Sequence, residues 1–347
     1  MPASASTIGG LLAPAASLGR YFSVVGGMTT LLASAIPIAL VGAGAPTQRP
    51  TVHRAVNALG DVGLQEVAAL GLLVLVAGLM LHPLQFPFTQ LLEGYWGTSR
   101  PATRAMTRSI QAHLDRHFRL QRTSSSARKD LRERLTELTE AQKDTASKEV
   151  RERLDARRQE LQREAASLTS VVQAADAALR TYPEAVHEMM PTKLGNILRR
   201  HERLAGAAFG LDAVTATPFL LQVASDDVKS YVDDTRTDMD VAVRMVLVWT
   251  VATVVTAAML WRYDLWLLVP LATFLCSWTA YRGAVFAAVD YGTALQVLTA
   301  LTRRQLYEAL GMDFPPDSGE EFRTNEDLSI VLQGVYKTIP YRQLPLE

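Results

Sequence analysis

Apolar and polar positions along this chain fall into blocks. Four stretches carry no Asp, Glu, Lys or Arg: Tyr21 to Gln48, Val67 to Leu92, Met245 to Trp261 and Leu265 to Tyr281, of 28, 26, 17 and 17 residues. A helix crossing the hydrocarbon core of a bilayer needs about 20 mainly apolar residues. The second stretch contains the apolar run Ala69 to Leu81, and the third opens Met-Val-Leu-Val-Trp-Thr-Val-Ala-Thr-Val-Val. The fourth reaches spanning length by passing Arg282, whose long side chain can snorkel to the interface. The first is interrupted by Gly26, Gly27, Ser34 and Pro37, residues that membrane helices tolerate. The pattern predicts four transmembrane helices in two hairpins. Four buried helices of a soluble protein are the alternative.

The flanks fit the spans. Trp261, Tyr263 and Trp266 surround the three-residue link Arg262-Tyr263-Asp264, and aromatic rings favour the membrane–water interface. His82-Pro83 and Pro87 are expected to mark the exit of the second span, because proline cannot continue the helix ladder. Arg100, Arg104, Arg108, Arg116, Arg119 and Arg122 follow it, opposed before residue 123 only by Glu93 and Asp115. The positive-inside rule places this side, and with four spans both termini, in the cytoplasm. Arg303 and Arg304 agree, whereas Arg49 and Arg54 in the first outer loop count against it. No basic segment precedes an apolar core before Arg20, so no cleaved signal peptide is expected. The six arginines set topology and are candidates for contact with anionic lipid.

Between the hairpins the pattern becomes helical and charged. No proline occurs between Pro101 and Pro183 and no glycine between Gly97 and Gly195, which predicts long helices. Leu131, Leu135 and Leu138 mark one apolar stripe; Leu154, Leu161 and Leu168 mark another at heptad spacing. Thr139 to Glu149 reads as the turn of an antiparallel hairpin or a weak patch in a rod. Thr123-Ser124-Ser125-Ser126 reads as a second break, with a serine capping the following helix. A coiled-coil assembly element and a bundle within one subunit both remain open. Pro191 to Leu221 reads as a compact helix–loop segment near the membrane surface.

The expected divisions are a flexible N-terminus (1–18), a first hairpin (19–83), a cytoplasmic helical region (84–240), a second hairpin (241–289) and a C-terminal cytoplasmic segment (290–347). That last segment carries a helix around Leu301 to Gly311. Composition then reads differently from its averages. The net charge is zero, with 35 basic and 35 acidic residues, which excludes a globally basic nucleic-acid binder. The helices beside the basic segment are charge-balanced and poor in aromatics, so nucleic acid is not an expected partner. One cysteine excludes a disulfide framework.

Candidate chemistry is sparse. His113 and His117 stand i,i+4, but no third ligand completes a set, and Arg116 and Arg119 oppose a cation. His187-Glu188 lacks the second histidine of a zinc-protease helix, because that position is Pro191. No phosphate loop, dinucleotide glycine fingerprint or nucleophile-elbow serine is present. No catalytic, cofactor or metal residue is assigned, and the protein reads as non-enzymatic. Asp226, Asp233 and Asp240 repeat every seven residues opposite a packing face of Val228, Tyr231, Val232, Thr235 and Met239. In an oligomer they would form an acidic vestibule; as a single helix face they are simply solvated. Ala272, Cys276, Ala280, Ala284 and Ala288 form a small-residue stripe, as do Gly26, Thr30 and Ser34, and such stripes let helices approach closely.

Several strings resemble a group of uncharacterised multi-span membrane proteins of high-GC Gram-positive bacteria. They are Gly19 to Phe22, His82 to Gln85, Leu91 to Trp96, Pro191 to Asn196, Phe209 to Val214 and Leu306 to Leu310. The resemblance implies a bacterial plasma membrane and brings no activity, ligand or site residue. The expected function is a homo-oligomeric membrane assembly in contact with lipids. It would act as a scaffold or regulated pore, or alternatively as an adaptor recruiting a cytoplasmic protein through residues 127–180.

Overall fold

A computed structural model describes residues 29–51, 53–54, 72, 76, 83–141 and 148–340, leaving out the side chains of 141 and 148–154. Among these the fold is all-α, without a strand. The helices are α1 (Thr29–Gly42), α2 (Arg100–Ala141), α3 (Lys148–Leu179), α4 (Lys193–Ala207), α5 (Ala213–Val223), α6 (Asp226–Leu260), α7 (Leu268–Ala309) and α8 (Ser318–Leu332). Residues 83–93 are also helical. The chain divides into two units, Met1–Leu92 with His201–Glu347, and Glu93–Arg200. The expected cytoplasmic region 84–240 is thereby shared between them.

Two helices, α6 and α7 with its short 3-10 lead-in, are long and apolar enough to cross a membrane. They were anticipated as the third and fourth spans. The helical described part of the expected first span is α1, an apolar helix of 14 described residues, short of the length of a crossing. The expected second span, Val67 to Leu92, lies largely outside the described residues, as does Gly26.

In the first unit, α6 and α7 pack against each other and α5 packs on α7, while α8 packs on α5 and bonds to α7 through Arg303–Glu321 and Tyr307–Asn325. These helices share a conventional hydrophobic core: Leu211, Ala216, Leu220, Val232, Leu298, Leu306, Tyr307 and Leu328. Each fully buried Leu there is worth about 1.5–3 kcal/mol relative to exposure. The apolar half of α6 and α7 is held differently. Thr250 Oγ1 meets Ser277 Oγ at 2.9 Å, and Thr253 donates to Thr273 Oγ1 at 3.1 Å. Hydroxyl bonds of this kind are one way in which apolar helices are joined side by side.

The second unit is an antiparallel hairpin of α2 and α3. Arg128 pairs with Asp176 at 2.5 Å, Arg134 with Glu164 at 3.0 Å and Arg157 with Glu137 at 3.9 Å. The numbers rise along α2 as they fall along α3, which sets the register. The hairpin, rather than the rod, is therefore the correct alternative; α2 ends at Ala141 and α3 begins at Lys148, both within the polar stretch Thr139 to Glu149. Leu161, Ala165 and Ala175 of α3 are buried beside Ala127 of α2, while Leu135 of the α2 stripe is half exposed.

Two expectations need correction. Thr123 to Ser126 does not break the helix: α2 runs unbroken for 42 residues, about 63 Å. Thr123 and Ser125 bond back to the carbonyls of Arg119 and Arg122, and buried Ser124 donates to Asp176 at 2.7 Å. These three hydroxyls are satisfied within the helix or across the hairpin, so the segment does not need a helix end to pair them. Pro87 likewise does not end its helix, which runs from residue 83 to residue 93 and stops at Gly94; the residues before Pro83 lie outside the described ones. Gly94 has φ +112, a conformation that side chains resist and glycine adopts freely.

Candidate functional sites

Beneath the hairpin lies a clamp that joins the two ends of the second unit. Thr192 Oγ1 donates to the Glu93 carbonyl at 2.9 Å. Gly195 comes so close that a Cβ there would stand 1.9 Å from the same oxygen, so only glycine fits. Asn196, fully buried, accepts from Met190 N–H at 2.8 Å and donates to the carbonyls of Met190 and Thr192. Two of the sequence strings noted above, Leu91 to Trp96 and Pro191 to Asn196, thus meet at one joint. Two others meet in the first unit. Tyr307 donates to Asn325 Oδ1 at 2.8 Å, and Asn325 donates to the Phe209 carbonyl at 2.8 Å. Asp212 N–H donates to Ser329 at 2.9 Å.

Next to the clamp, His113 and His117 face Tyr182 rather than a metal position. His113 Nδ1 is 3.3 Å from the Tyr182 hydroxyl, and the His117 ring lies edge-on to Tyr182. Burial, and then the nearby Arg116 charge, hold His113 below the ordinary histidine pKa; burial does the same for His117. No group of three or more potential metal ligands occurs among the described residues. Arg100, Arg104, Arg108, Arg116, Arg119 and Arg122 are all exposed. At 100° per residue they occupy an arc of roughly 160° of α2.

The first unit presents an apolar surface outward. Val254, Leu265, Leu268, Phe274, Trp278 and Phe286 of α6 to α7, and Leu32 and Val41 of α1, are all exposed. Soluble proteins rarely expose contiguous apolar faces of this kind. Trp261, two-thirds exposed, stands at one end of the belt. At the other end Arg282 stacks on Trp278, its Cζ 5.1 Å from the ring centre.

The small-residue stripe of α7 serves two surfaces. Ala284 and Ala288 are fully buried, Cys276 and Ala280 are half-buried, and Ala272 is exposed. The face that meets α6 in the apolar half runs instead through Thr273 and Ser277, one residue further along the stripe. Scanning for small apolar residues missed this hydroxyl seam, although the regular Thr spacing of α6 (Thr250, Thr253, Thr256) carried the signal. In α1, Ser34 donates to the Thr30 carbonyl at 2.8 Å, and Ala33 buries against Trp249 and Val248.

Asp226 and Asp233 are exposed and Asp240 is half-buried, while Val228, Val232, Thr235 and Met239 opposite them are buried. The packing face was thus legible in the sequence. The carboxylates that border a cavity are different ones, Asp238 and Asp290. This cavity, of about 680 Å3, lies among α1, α6 and α7, with Met245, Trp249, Cys276 and Ala280 in its wall. Asp238 Oδ1 is buried without a hydrogen-bond partner. Asp290, the lone carboxylate between Arg282 and Arg303, was not singled out in the sequence. No protein-family model, curated protein or solved structure matches this chain.

Proposed function

We propose that this protein is a four-span scaffold of a bacterial plasma membrane whose cytoplasmic helical hairpin recruits a soluble protein. The hairpin closed by its own charges is the observation that carries this reading. A strand of coiled coil that needs a second copy leaves its stripe unpaired within one chain. Here α2 and α3 satisfy each other through Arg128, Arg134 and Arg157. Their outer faces, with Phe118, Leu135 and Val171 exposed, stay available to another protein. The six-arginine arc of α2 would add contact with anionic headgroups, each basic residue contributing about 1 kcal/mol near such a surface.

Four spans fit the placement of Pro46 and Gln85, which lie on either side of the apolar run Ala69 to Leu81. Tyr263 donates to the Pro46 carbonyl at 2.9 Å, beside the Leu260 end of α6. Gln85 accepts from Arg244 at 2.8 Å and donates to the Asp240 carbonyl at 3.5 Å, at the other end of the apolar half. Asp240 to Leu260 rises about 30 Å, the thickness of a hydrocarbon core. Between residues 46 and 85 the chain passes from one end to the other, and the apolar run Ala69 to Leu81 has the composition to make that passage in lipid. The basic flank after it puts both termini in the cytoplasm.

A photo-crosslinker at exposed Lys129 and Glu160 of the full-length protein in native membranes tests the reading. The expected result is the same soluble protein captured from both positions. Adducts only with a second copy would replace recruitment by self-assembly, and no adduct would remove the scaffold reading. A regulated pore is the second reading, favoured by exposed Asp226 and Asp233 along one face of α6. Planar-bilayer conductance that changes cation preference on charge reversal of both would establish it.

A further inference from the structure

We infer that the cavity among α1, α6 and α7 is a binding site for a lipophilic monovalent cation, such as a quaternary ammonium or phosphonium carrying apolar groups. The inference goes beyond the scaffold reading and does not depend on it.

Size comes first. At about 680 Å3 the cavity falls within the range of small-molecule sites. Its wall is mainly apolar, with Met245, Trp249 and Phe286 among the residues that line it. Leu32 and Phe286, which border it, are exposed and belong to the apolar belt. A ligand dissolved in lipid can therefore reach it sideways.

Charge comes second. Asp238 and Asp290 border the same cavity, and neither forms an ion pair among the described residues. The Asp238 carboxylate has Asp234 and Asp290 as its charged neighbours, so like charge surrounds it. The arginines of the same helix, Arg236 and Arg244, act on Asp240 instead. Asp238 Oδ1 is enclosed and accepts no hydrogen bond. A buried carboxylate oxygen without a donor is costly to maintain. A cation that has no hydrogen to donate can still neutralise it, and a tryptophan in the wall, Trp249, is the side-chain type whose ring quadrupole attracts cations most strongly. Thr29, Thr235 and Thr279 complete the polar rim. An anion would meet two carboxylates, and a neutral lipid chain would leave the enclosed Asp238 oxygen uncompensated.

Tetraphenylphosphonium and tetraphenylborate share a shape and differ in charge, which makes them a suitable pair of probes. Equilibrium dialysis of each against the full-length protein in a neutral maltoside detergent gives the affinity. Saturable binding of the phosphonium without binding of the borate is expected. Asp238→Asn and Asp290→Asn should each weaken it about five- to tenfold, the range of a partly screened ion contact. The double variant should abolish it. Ala280→Phe, which fills the wall, should also abolish it while helicity and monodispersity are retained. Equal binding of borate and phosphonium would mean a merely apolar pocket and would overturn the inference. Unaltered phosphonium binding in the double asparagine variant, or in Ala280→Phe, would overturn it as well, as would no saturable binding.

Discussion

Asn196 is the residue on which the clamp of the second unit turns. Its side chain is fully buried and makes three hydrogen bonds, one from Met190 N–H and two to the carbonyls of Met190 and Thr192. In Asn196→Ala all three are lost, and no side-chain acceptor remains for the Met190 amide. One orphaned buried donor costs about 1–3 kcal/mol, and each net hydrogen bond lost adds about 0.5–1.5 kcal/mol. With one orphaned donor and two further bonds lost, the clamp should weaken by roughly 2–6 kcal/mol. Since about 1.4 kcal/mol is a factor of ten, the Met190 amide should exchange with solvent at least about 30-fold faster. Hydrogen–deuterium exchange of the intact protein in detergent, read at the peptide containing Met190, measures this directly. Asn196→Asp sharpens the test. It keeps an acceptor for the Met190 amide but aims a second acceptor, or a buried charge, at two carbonyls. It should therefore be at least as damaging as the alanine. Wild-type exchange in both variants, or an aspartate milder than the alanine, would refute the argument that these bonds hold the joint.

Other outcomes follow from the same geometry. Gly195→Ala places a Cβ 1.9 Å from the Glu93 carbonyl oxygen; the backbones must separate, and overpacking of this kind costs about 1–3 kcal/mol, visible as a lowered thermal midpoint. Ser277→Ala removes the bond to Thr250 and should cost only about 0.6 kcal/mol, with 1.7 as an upper value for such membrane bonds; detergent-denaturation midpoints would show it. Arg134→Glu sets like charge against Glu164 and Glu137 and should loosen the hairpin, with Glu164→Arg restoring it; circular dichroism on heating is the readout. The two histidines predict a pH effect. Burial holds His113 and His117 below 6.5 in the folded protein, so the unfolded chain takes up their protons first. Stability is then full above about 6.5 and falls as pH drops through the lower folded values. His113→Gln with His117→Gln should flatten this dependence between about pH 7.5 and 5.

What was legible in the sequence was local. The glycine-free and proline-free run announced the long helices, because a missing breaker is a property of neighbouring residues. Helical periodicity alone assigned Val228, Val232, Thr235 and Met239 to a packing face, since 3.6 residues per turn fixes which positions share a side. The absence of charge over 17 residues marked the apolar halves of α6 and α7. The serine cluster at 123–126 misled because its polarity suits both a cap and a hairpin interior, and only the presence of Asp176 across the interface decides which. The same limit applies to Asp238. Its neighbours in sequence are acidic, and nothing local separates the carboxylate that enters a cavity from those that face water.

Tertiary structure decided how the pieces meet. Glu93 and Thr192, Phe209 and Asn325, and Thr250 and Ser277 are joined by hydrogen bonds between residues 27 to 116 positions apart. A bond of that reach depends on where two helices cross, and the crossing depends on every side chain in between. The sequence by itself therefore determined which segments are helical and which are apolar enough for lipid. The structure decided that the charged middle folds back on itself, that hydroxyls join the apolar helices, and which two carboxylates share a cavity.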